Sequence, residues 1–341
     1  MVKKTSIGVF GNGFVGGSIT TVFTERGFGV YAYDKGGRYV KSALSVRPPN
    51  PWRKQVDPNL IGGGGPYVPK TQQQLDDDSL WPTSAKEFIQ GCEKLDNFSG
   101  IFFVCLPTPM ATDGSADLSI VEGVLEELAN TPGEKDRIAV IKSTVPPGST
   151  EKWNQKYKGT KLTCAMSPEF LTEINAEDDM RNQDRIVIGG PRPHINKVKQ
   201  LFGKAFPKVP IIKTNSTTAE MVKYFTNVQL ATRVVLSCEL SQICDALDKS
   251  GMDVDYDKVL EYARYDKRLG DSHMNASGND GVPGARGHCF PKDLRALTHL
   301  AKTLDVNPKV LEAVWSKNLD IIPEEHRDWE RMPGRAVSNK K

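Results

Sequence analysis

The start of the chain constrains its fold more than any other stretch. The pattern of residues 5–10 predicts a buried strand, and residues 11–16 read Gly-Asn-Gly-Phe-Val-Gly. A helical pattern then extends to Arg26, and a second strand pattern at residues 30–33 leads into Asp34. A G-x-G-x-x-G turn between a strand and a helix is typical of a dinucleotide site, because glycines let the backbone approach a pyrophosphate at the positive end of the helix.

The acidic residue that ends the second strand indicates which dinucleotide binds. Asp34 would accept hydrogen bonds from the adenosine ribose hydroxyls and would repel a 2′-phosphate, so NAD is favoured over NADP. Lys35 and Arg38 weaken that preference slightly, because they add positive charge nearby. The candidate cofactor-binding residues of this segment are Gly11, Gly13, Phe14, Val15, Gly16, Asp34 and Lys35.

Strand and helix patterns alternate over the first 212 residues. We predict helices at 84–95 and 120–129 and strands at 101–106, 138–141, 162–166 and 185–189. Residues 101–106 are a continuous apolar run, which is typical of a parallel strand that is buried on both faces. The segments 107–109, 142–148 and 167–173 follow three of these strands, so they lie at the carboxyl edge, where ligands bind in such sheets.

Strand patterns stop near Lys213, and the rest of the chain reads as helical. A capping box of Thr217 and Glu220 predicts the start of a helix that runs to about Ser250, and further helices are expected at 256–265, 291–304 and 309–321. The predicted fold class is α/β, with a Rossmann-like, doubly wound, mostly parallel sheet followed by an all-helical dimerisation domain with a long central helix. The expected domains are 1–212, with an irregular insertion at 47–82, then 213–322, and a polar tail at 323–341, of which we expect the basic residues 331–341 to be solvated.

Composition excludes several classes of function. A net charge of +3 on 341 residues gives no bulk signal for nucleic acid or membrane binding, and no apolar run reaches transmembrane length. The six cysteines are scattered within apolar runs, which favours reduced thiols and a cytoplasmic location. The five histidines show no metal-ligand spacing, so we expect no metal site.

Cys289 is a candidate nucleophile. It directly precedes Phe290 and Pro291, and a proline is favoured in the first turn of a helix. The partial positive charge of a helix N-terminus favours a thiolate, Lys292 adds further positive charge, and Asp293 supplies a carboxylate. These groups predict covalent catalysis, although a lone cysteine is more often a small buried apolar residue.

The chain resembles the UDP-glucose/GDP-mannose dehydrogenase family. The motifs that carry the resemblance occur in order: Gly11 to Gly16, Pro107-Thr108-Pro109, Ser143-Thr144-Val145-Pro146-Pro147-Gly148, Ser167-Pro168-Glu169-Phe170-Leu171, Lys223 with Asn227, and Cys289-Phe290-Pro291-Lys292-Asp293. The resemblance covers residues 5–318 and is weakest across 47–82. It implies a double oxidation, in which the C6 alcohol of a sugar such as that of UDP-glucose becomes a carboxylate while two NAD are reduced.

The resemblance also implies roles for individual residues. Cys289 would form a thiohemiacetal with the C6 aldehyde and then a thioester, which water hydrolyses. Lys223 would stabilise the oxyanion and Asn227 would orient the sugar hydroxyl, while Thr144, Glu173 and Asp293 would hold and activate a water. Substrate contacts would come from Glu169, Phe170, Leu171 and Gly287, and from Arg268 of a neighbouring subunit in a homodimer. Additional cofactor contacts would come from Pro107, Thr108, Thr144 and Lys292.

Two departures from the family pattern stand out. Arg286 replaces a glycine of a Gly-Phe-Gly-Gly stretch before the cysteine, so the loop either runs differently or gains a phosphate contact. The family normally continues with a third, UDP-binding domain, which we expect this chain to lack. Because contacts to remote substrate groups help to position the reacting carbon, we expect a raised KM for UDP-glucose.

Two other functions remain open. The chain could be a dehydrogenase of a smaller sugar acid or hydroxy acid, in the manner of the 6-phosphogluconate dehydrogenase relatives, which use no catalytic cysteine. It could also be a non-catalytic or partner-dependent protein that binds NAD or pairs with a complete enzyme through its long helix. The presence of every catalytic residue type argues against a pure scaffold.

Overall fold

The computed structural model describes residues 4–34, 40–42, 82, 84–172, 175–278 and 281–339. Two compact units divide the chain. The first comprises residues 1–106, 120–143 and 148–219, and the second comprises 107–119, 144–147 and 220–341. Lys35, Arg38, Glu173 and nearly all of the 47–82 insertion lie outside the described residues.

A mostly parallel sheet forms the centre of the first unit. Its eight described strands have the order β3-β2-β1-β4-β5-β6-β7-β8. β3 is antiparallel to β2 and β7 to β6, while the other neighbouring strands are parallel. The strands are β1 Ser6–Phe10, β2 Gly29–Tyr33, β3 Val40–Ser42, β4 Phe98–Val104, β5 Arg137–Ile141, β6 Leu162–Met166, β7 Ile186–Gly189 and β8 Ile211–Thr214. The sequence prediction of an α/β fold with a mostly parallel sheet is confirmed.

Six described helices flank these strands along the chain. They are α1 Phe14–Glu25, α2 Ala85–Glu93, α3 Ser119–Asn130, α4 Ser149–Lys156, α5 Ala176–Arg181 and α6 His194–Ala205. Aromatic rings from α1, β4 and α6 pack together: the ring of Phe23 lies 5.5 Å from Phe103 and 5.9 Å from Phe202, between centroids. This apolar core holds the sheet and its helices in one unit.

The second unit is helical. Its elements are α7 Ser216–Lys249, whose first four residues belong to the first unit, α8 Tyr256–Ala263, α9 Phe290–Thr303, α10 Lys309–Ile321 and two 3-10 turns at Glu324–His326 and Asp328–Arg331. The predicted long helix is therefore confirmed. α7 contributes Val228, Ala231, Val235 and Cys238 to an apolar core shared with Leu294 of α9 and Val314 of α10.

Two predictions about this unit are wrong. The helix is capped by Asn215, whose Oδ1 accepts a hydrogen bond from the N–H of Thr218 at 2.7 Å, and not by the predicted box of Thr217 and Glu220. The segment predicted as a polar tail packs on the unit, since Trp329 and Ala336 are each 1% exposed and belong to its core, and Ala336 lies within the stretch that was expected to be solvated.

Candidate active site

The glycine-rich turn has the shape that a dinucleotide requires. Gly11 has φ +82°, and a Cβ there would lie 2.3 Å from the carbonyl oxygen of Cys105. A Cβ on Gly16 would lie 1.8 Å from the carbonyl oxygen of Gly11, so the turn can only close tightly with glycine. No described atom lies within 4 Å of a Cβ on Gly13, so the turn is open to a ligand at that residue. Gly13 begins α1 without a side-chain cap, which suits a pyrophosphate.

Asp34 is held against this turn. Its Oδ2 accepts a hydrogen bond from the backbone N–H of Asn12 at 2.8 Å. The contact fixes the carboxylate at the end of β2, where a ribose bound above the turn would meet it. Asn12 was not predicted as a site residue, because only its backbone takes part. The residues present therefore fit NAD.

The loop after β6 carries the predicted substrate residues of the first unit. The buried carboxylate of Glu169 turns back onto its own loop, where Oε2 accepts the N–H of Leu171 at 2.6 Å. Arg185 lies over the ring of Phe170, with 4.2 Å between the guanidinium carbon and the ring centroid. The buried Lys142, which the sequence did not single out, donates to the carbonyl oxygen of Pro168 at 3.1 Å. These contacts preorganise residues 168–171.

Within the second unit, the structure gathers the largest group of predicted catalytic residues. Lys223 and Asn227 are four residues apart on α7, and both are buried. Cys289 is the residue directly before α9, and the backbone N–H of Asp293 donates to its carbonyl oxygen at 2.9 Å. Cys289 and Asp293 therefore stand one helical turn apart.

The carboxylate of Asp293 joins the two helices. Its Oδ2 accepts a hydrogen bond from Nδ2 of Asn227 at 2.6 Å, and its Oδ1 forms an ion pair with the ammonium of Lys292. Asp293 is completely buried and Lys292 is nearly so. A buried charge needs such partners, because its desolvation is otherwise unfavourable by several kcal/mol. Lys292, predicted as a cofactor contact, is thus paired with the Asp293 carboxylate in this structure.

The second unit also contains the predicted residues Thr108, Thr144, Gly287 and Arg268. Thr108 donates through Oγ1 to the carbonyl oxygen of Thr144 at 2.7 Å, so the loops after β4 and β5 meet. Gly287 donates its N–H to Oδ1 of Asp328 at 3.1 Å. Arg268 stands apart from this cluster: its side chain is 89% exposed and pairs with Asp266. Asp328, which holds the loop, was missed by sequence reasoning.

All six cysteines are free thiols, and three of them are unsuited to catalysis. Burial raises the pKa of Cys105 and of Cys164 to about 12. Burial likewise raises the pKa of Cys92 far above its ordinary value. These thiols stay neutral near pH 7, whereas the thiolate is the nucleophilic form.

The described residues show neither a metal-binding cluster nor a membrane-spanning helix. They contain no group of three or more His, Cys, Asp or Glu side chains that could hold a metal ion. No helix in this part of the chain combines the length and the apolar character needed to cross a membrane.

Comparison with known proteins identifies the family. The family model for the NAD binding domain of the UDP-glucose/GDP-mannose dehydrogenase family matches residues 84–205, and that for its central domain matches 217–320. The UDP-glucose 6-dehydrogenase AglM of Haloferax volcanii is 30% identical over 338 residues, which cover 94% of this chain and 71% of the relative. A UDP-glucose 6-dehydrogenase of Rickettsia bellii is 34% identical over 233 residues, but the match spans only 50% of its length and 66% of this chain.

Solved structures show the same likeness. A UDP-glucose dehydrogenase from Pyrobaculum islandicum superimposes with a TM-score of 0.69 and 27% identity, covering 93% of this chain and 68% of its own. A 3-hydroxyisobutyrate dehydrogenase of Mycobacterium tuberculosis, 13% identical with a TM-score of 0.59 over 96% of both chains, shares the fold alone. NAD is the cofactor of the matched NAD-binding domain. The chain therefore belongs to the UDP-glucose/GDP-mannose dehydrogenase family of NAD-dependent oxidoreductases that act on CH–OH groups.

Proposed function

We propose that the chain is a nucleotide-sugar 6-dehydrogenase that oxidises UDP-glucose to UDP-glucuronate in two steps through Cys289. The observation that carries this proposal is the arrangement around α9. The thiol precedes the helix directly, and Asp293, one turn later, is bound to Asn227 and Lys292. The names of the Haloferax and Rickettsia relatives support UDP-glucose as the substrate.

Covalent catalysis would divide the reaction into manageable steps. NAD, held by the glycine-rich turn and Asp34, would supply the hydride acceptor for each of the two oxidations. Sγ of Cys289 adds to the C6 aldehyde, the resulting thiohemiacetal is oxidised to a thioester, and water releases the carboxylate. The covalent bond keeps the aldehyde from leaving before the second oxidation.

In this mechanism, each of the buried polar side chains Lys223, Asn227 and Asp293 has a role of its own. The ammonium of Lys223 stabilises the oxyanion that forms when sulfur adds to the carbonyl. Asn227 orients the C6 hydroxyl, and its hydrogen bond to Asp293 at 2.6 Å supports a fixed geometry. Asp293, with Thr144 and Glu173, holds and activates the hydrolytic water. Glu173 enters on the family resemblance alone.

The remaining predicted residues divide between cofactor and substrate. Gly11, Gly13, Phe14, Val15, Gly16, Asp34 and Lys35 bind the adenosine and pyrophosphate of NAD, with Pro107, Thr108, Thr144 and Lys292 towards the nicotinamide. Glu169, Phe170, Leu171 and Gly287 bind the sugar nucleotide, and the backbone contacts of residues 168–171 support a preorganised loop. The six free cysteines support a reducing compartment, so we place the enzyme in the cytoplasm.

A homodimer through the helical domain is part of the same proposal. α7 carries an exposed apolar stripe formed by Leu236, Leu240, Ile243 and Leu247, spaced four, three and four residues apart. Large exposed apolar patches mark interaction sites, and this spacing is typical of helices that pack on a partner helix. Arg268 would then exchange its exposed pairing with Asp266 for a contact in the sugar site of the partner. A Leu240→Glu variant is expected to sediment as a monomer.

A substrate panel tests the proposal. The purified protein is given NAD and each of several UDP-sugars, GDP-sugars and small hydroxy acids, and the appearance of NADH is followed. We expect turnover of UDP-glucose, abolished in Cys289→Ala and retained in Cys92→Ala, a matched change at a buried thiol. Turnover of a hydroxy acid that survives Cys289→Ala would favour a dehydrogenase of smaller sugar acids. Tight NAD binding with no turnover of any compound would favour the non-catalytic partner.

A further inference from the structure

Tyr224 has a buried hydroxyl that the proposed mechanism does not use. It lies on α7 between Lys223 and Asn227, and its side chain is only 1% exposed. Its hydroxyl has no hydrogen-bond partner among the described residues. Buried polar groups in folded proteins are nearly always paired, because an unmet hydrogen bond is unfavourable. The hydroxyl therefore marks a place where a water molecule or a ligand oxygen binds.

The surroundings of this hydroxyl are acidic. Glu220 precedes Tyr224 by four residues and Asn227 follows it by three, so all three lie on one face of α7. Asn227 in turn holds Asp293. Burial, and then the carboxylates of Asp293 and Glu220, raise the pKa of Tyr224 well above its ordinary value. Tyr224 therefore stays neutral and keeps the proton that it can donate.

A neutral donor beside a carboxylate can hold and orient a water. The tyrosine O–H would donate to the water oxygen, while the water donates one of its own protons to the carboxylate. We assign Asp293 as the carboxylate that accepts this hydrogen bond, because it lies one helical turn after Cys289. Its backbone N–H donates to the carbonyl oxygen of Cys289. Lys292 and Asn227 each bind one oxygen of Asp293, and each oxygen has a second lone pair that can accept.

We propose that the Tyr224 hydroxyl holds the water that hydrolyses the Cys289 thioester. The inference rests on the proposed function. In this step the water oxygen bonds to the acyl carbon, and the carbon–sulfur bond breaks with its electron pair on Sγ. One proton of the water passes to Asp293, and the other remains on the carboxylic acid product. The role is confined to the last step, so both oxidations proceed without the hydroxyl.

The thermal stability of a Tyr224→Phe variant distinguishes a role in holding water from a structural role. A hydroxyl that binds only water contributes no intramolecular hydrogen bond, so Tyr224→Phe should leave the Tm unchanged or raise it. Tyr157 is the matched control. It is also buried, but its hydroxyl donates to Oε2 of Glu126 at 3.1 Å. Tyr157→Phe should lower the Tm and leave the kinetics unchanged.

Rapid mixing of the enzyme with NAD and UDP-glucose provides the test. For Tyr224→Phe we expect a burst of two NADH per subunit followed by steady turnover at least about tenfold slower than wild type, or about 1.4 kcal/mol. Intact-protein mass spectrometry after acid quenching should detect the acyl group on Cys289. Wild-type steady turnover, slow turnover without a burst, or a lowered Tm would each overturn the inference while the proposed function stands. A wild-type enzyme that makes no NADH would overturn both.

Discussion

Asp328 accepts a hydrogen bond from the backbone N–H of Gly287, with 3.1 Å between the nitrogen and Oδ1, across 41 residues of sequence. A second anchor is close by, because Asn318 accepts the N–H of Ala285 at 2.8 Å and donates to its carbonyl oxygen at 3.0 Å. The loop that delivers Cys289 is thus held by residues from the last part of the chain.

Loss of this anchor should reduce catalysis. We expect Asp328→Ala to lower kcat for UDP-glucose by up to about tenfold, since a hydrogen bond to a charged acceptor contributes about 1.5 kcal/mol. Steady-state kinetics measure the effect, and Glu325→Gln, an exposed change on the same segment, is the control. Equal kcat values for Asp328→Ala and wild type would show that the anchor does not position Cys289.

Arg137 is the most deeply buried charge of the first unit, and its removal should destabilise the protein. Its Nη1 donates to the carbonyl oxygens of Leu128 and Thr131 at 2.6 and 2.7 Å, and its Nε to Glu93 at 2.6 Å. Arg137→Met leaves the Glu93 carboxylate, whose side chain is only 10% exposed, without its cation, which should lower the free energy of unfolding by about 3–5 kcal/mol.

Chemical denaturation checks this value. Lys156→Met is the matched control, because Lys156 and Glu126 form an exposed pair at 3.0 Å whose loss should change stability little. If the two variants lost similar amounts of free energy of unfolding, burial would not explain the effect of Arg137→Met.

One Gly→Ala substitution should abolish NAD binding, and another should stabilise the protein. Gly16→Ala places its Cβ 1.8 Å from the carbonyl oxygen of Gly11, so it should distort the turn and abolish NAD binding. Gly123→Ala lies on the exposed side of α3 with no described atom within 4 Å, and it should stabilise the protein by up to about 1 kcal/mol. Calorimetric titration with NAD and thermal melts measure both. Wild-type NAD affinity in Gly16→Ala would contradict the assigned turn geometry.

The buried thiols should make stability fall at alkaline pH. Burial raises the pKa of Cys164 from 9.0 to about 12, so the folded state favours the neutral thiol. Its contribution is complete below pH 9.0 and is lost as the pH rises towards about 12, since the unfolded thiol ionises first. Cys164→Ala should be less stable than wild type near pH 7, and the difference should shrink across this window. A constant difference in urea titrations would exclude this linkage.

The sheet could be predicted because buried parallel strands leave a simple signal. Residues 138–141 are a continuous apolar run, and residues 162–166 are apolar except for Thr163; they coincide with β5 and β6 within one residue. β4 begins at Phe98, three residues before the prediction, because Gly100 with φ +77° interrupts the apolar run.

Four further elements of the first unit, β8, α6, α4 and α5, are absent from the sequence prediction. β8 is only partly buried, so its sequence lacks a continuous apolar run. α6 carries Ile195, Val198, Leu201 and Phe202 at helical spacing, which is a sufficient sequence signal for a helix. The short α4 and α5 have few buried residues and no clear period.

The site was predictable in its residue types but not in its pairings. Lys223 and Asn227 share a helix face by spacing alone. The contact of Asn227 with Asp293 spans 66 residues, and it exists only because α7 and α9 pack in one core. Tyr224 and Asp328 gave no sequence signal, because an ordinary helix tyrosine and a polar loop residue look the same without their surroundings.

The ratio of NADH formed to UDP-glucose consumed is the most direct test of the account. Limiting UDP-glucose is incubated with excess NAD until the reaction stops, and the products are separated. We predict two NADH for each UDP-glucose, with UDP-glucuronate as the product and no reaction in Cys289→Ala. One NADH per UDP-glucose, or a full yield of two in Cys289→Ala, would contradict a double oxidation through the cysteine.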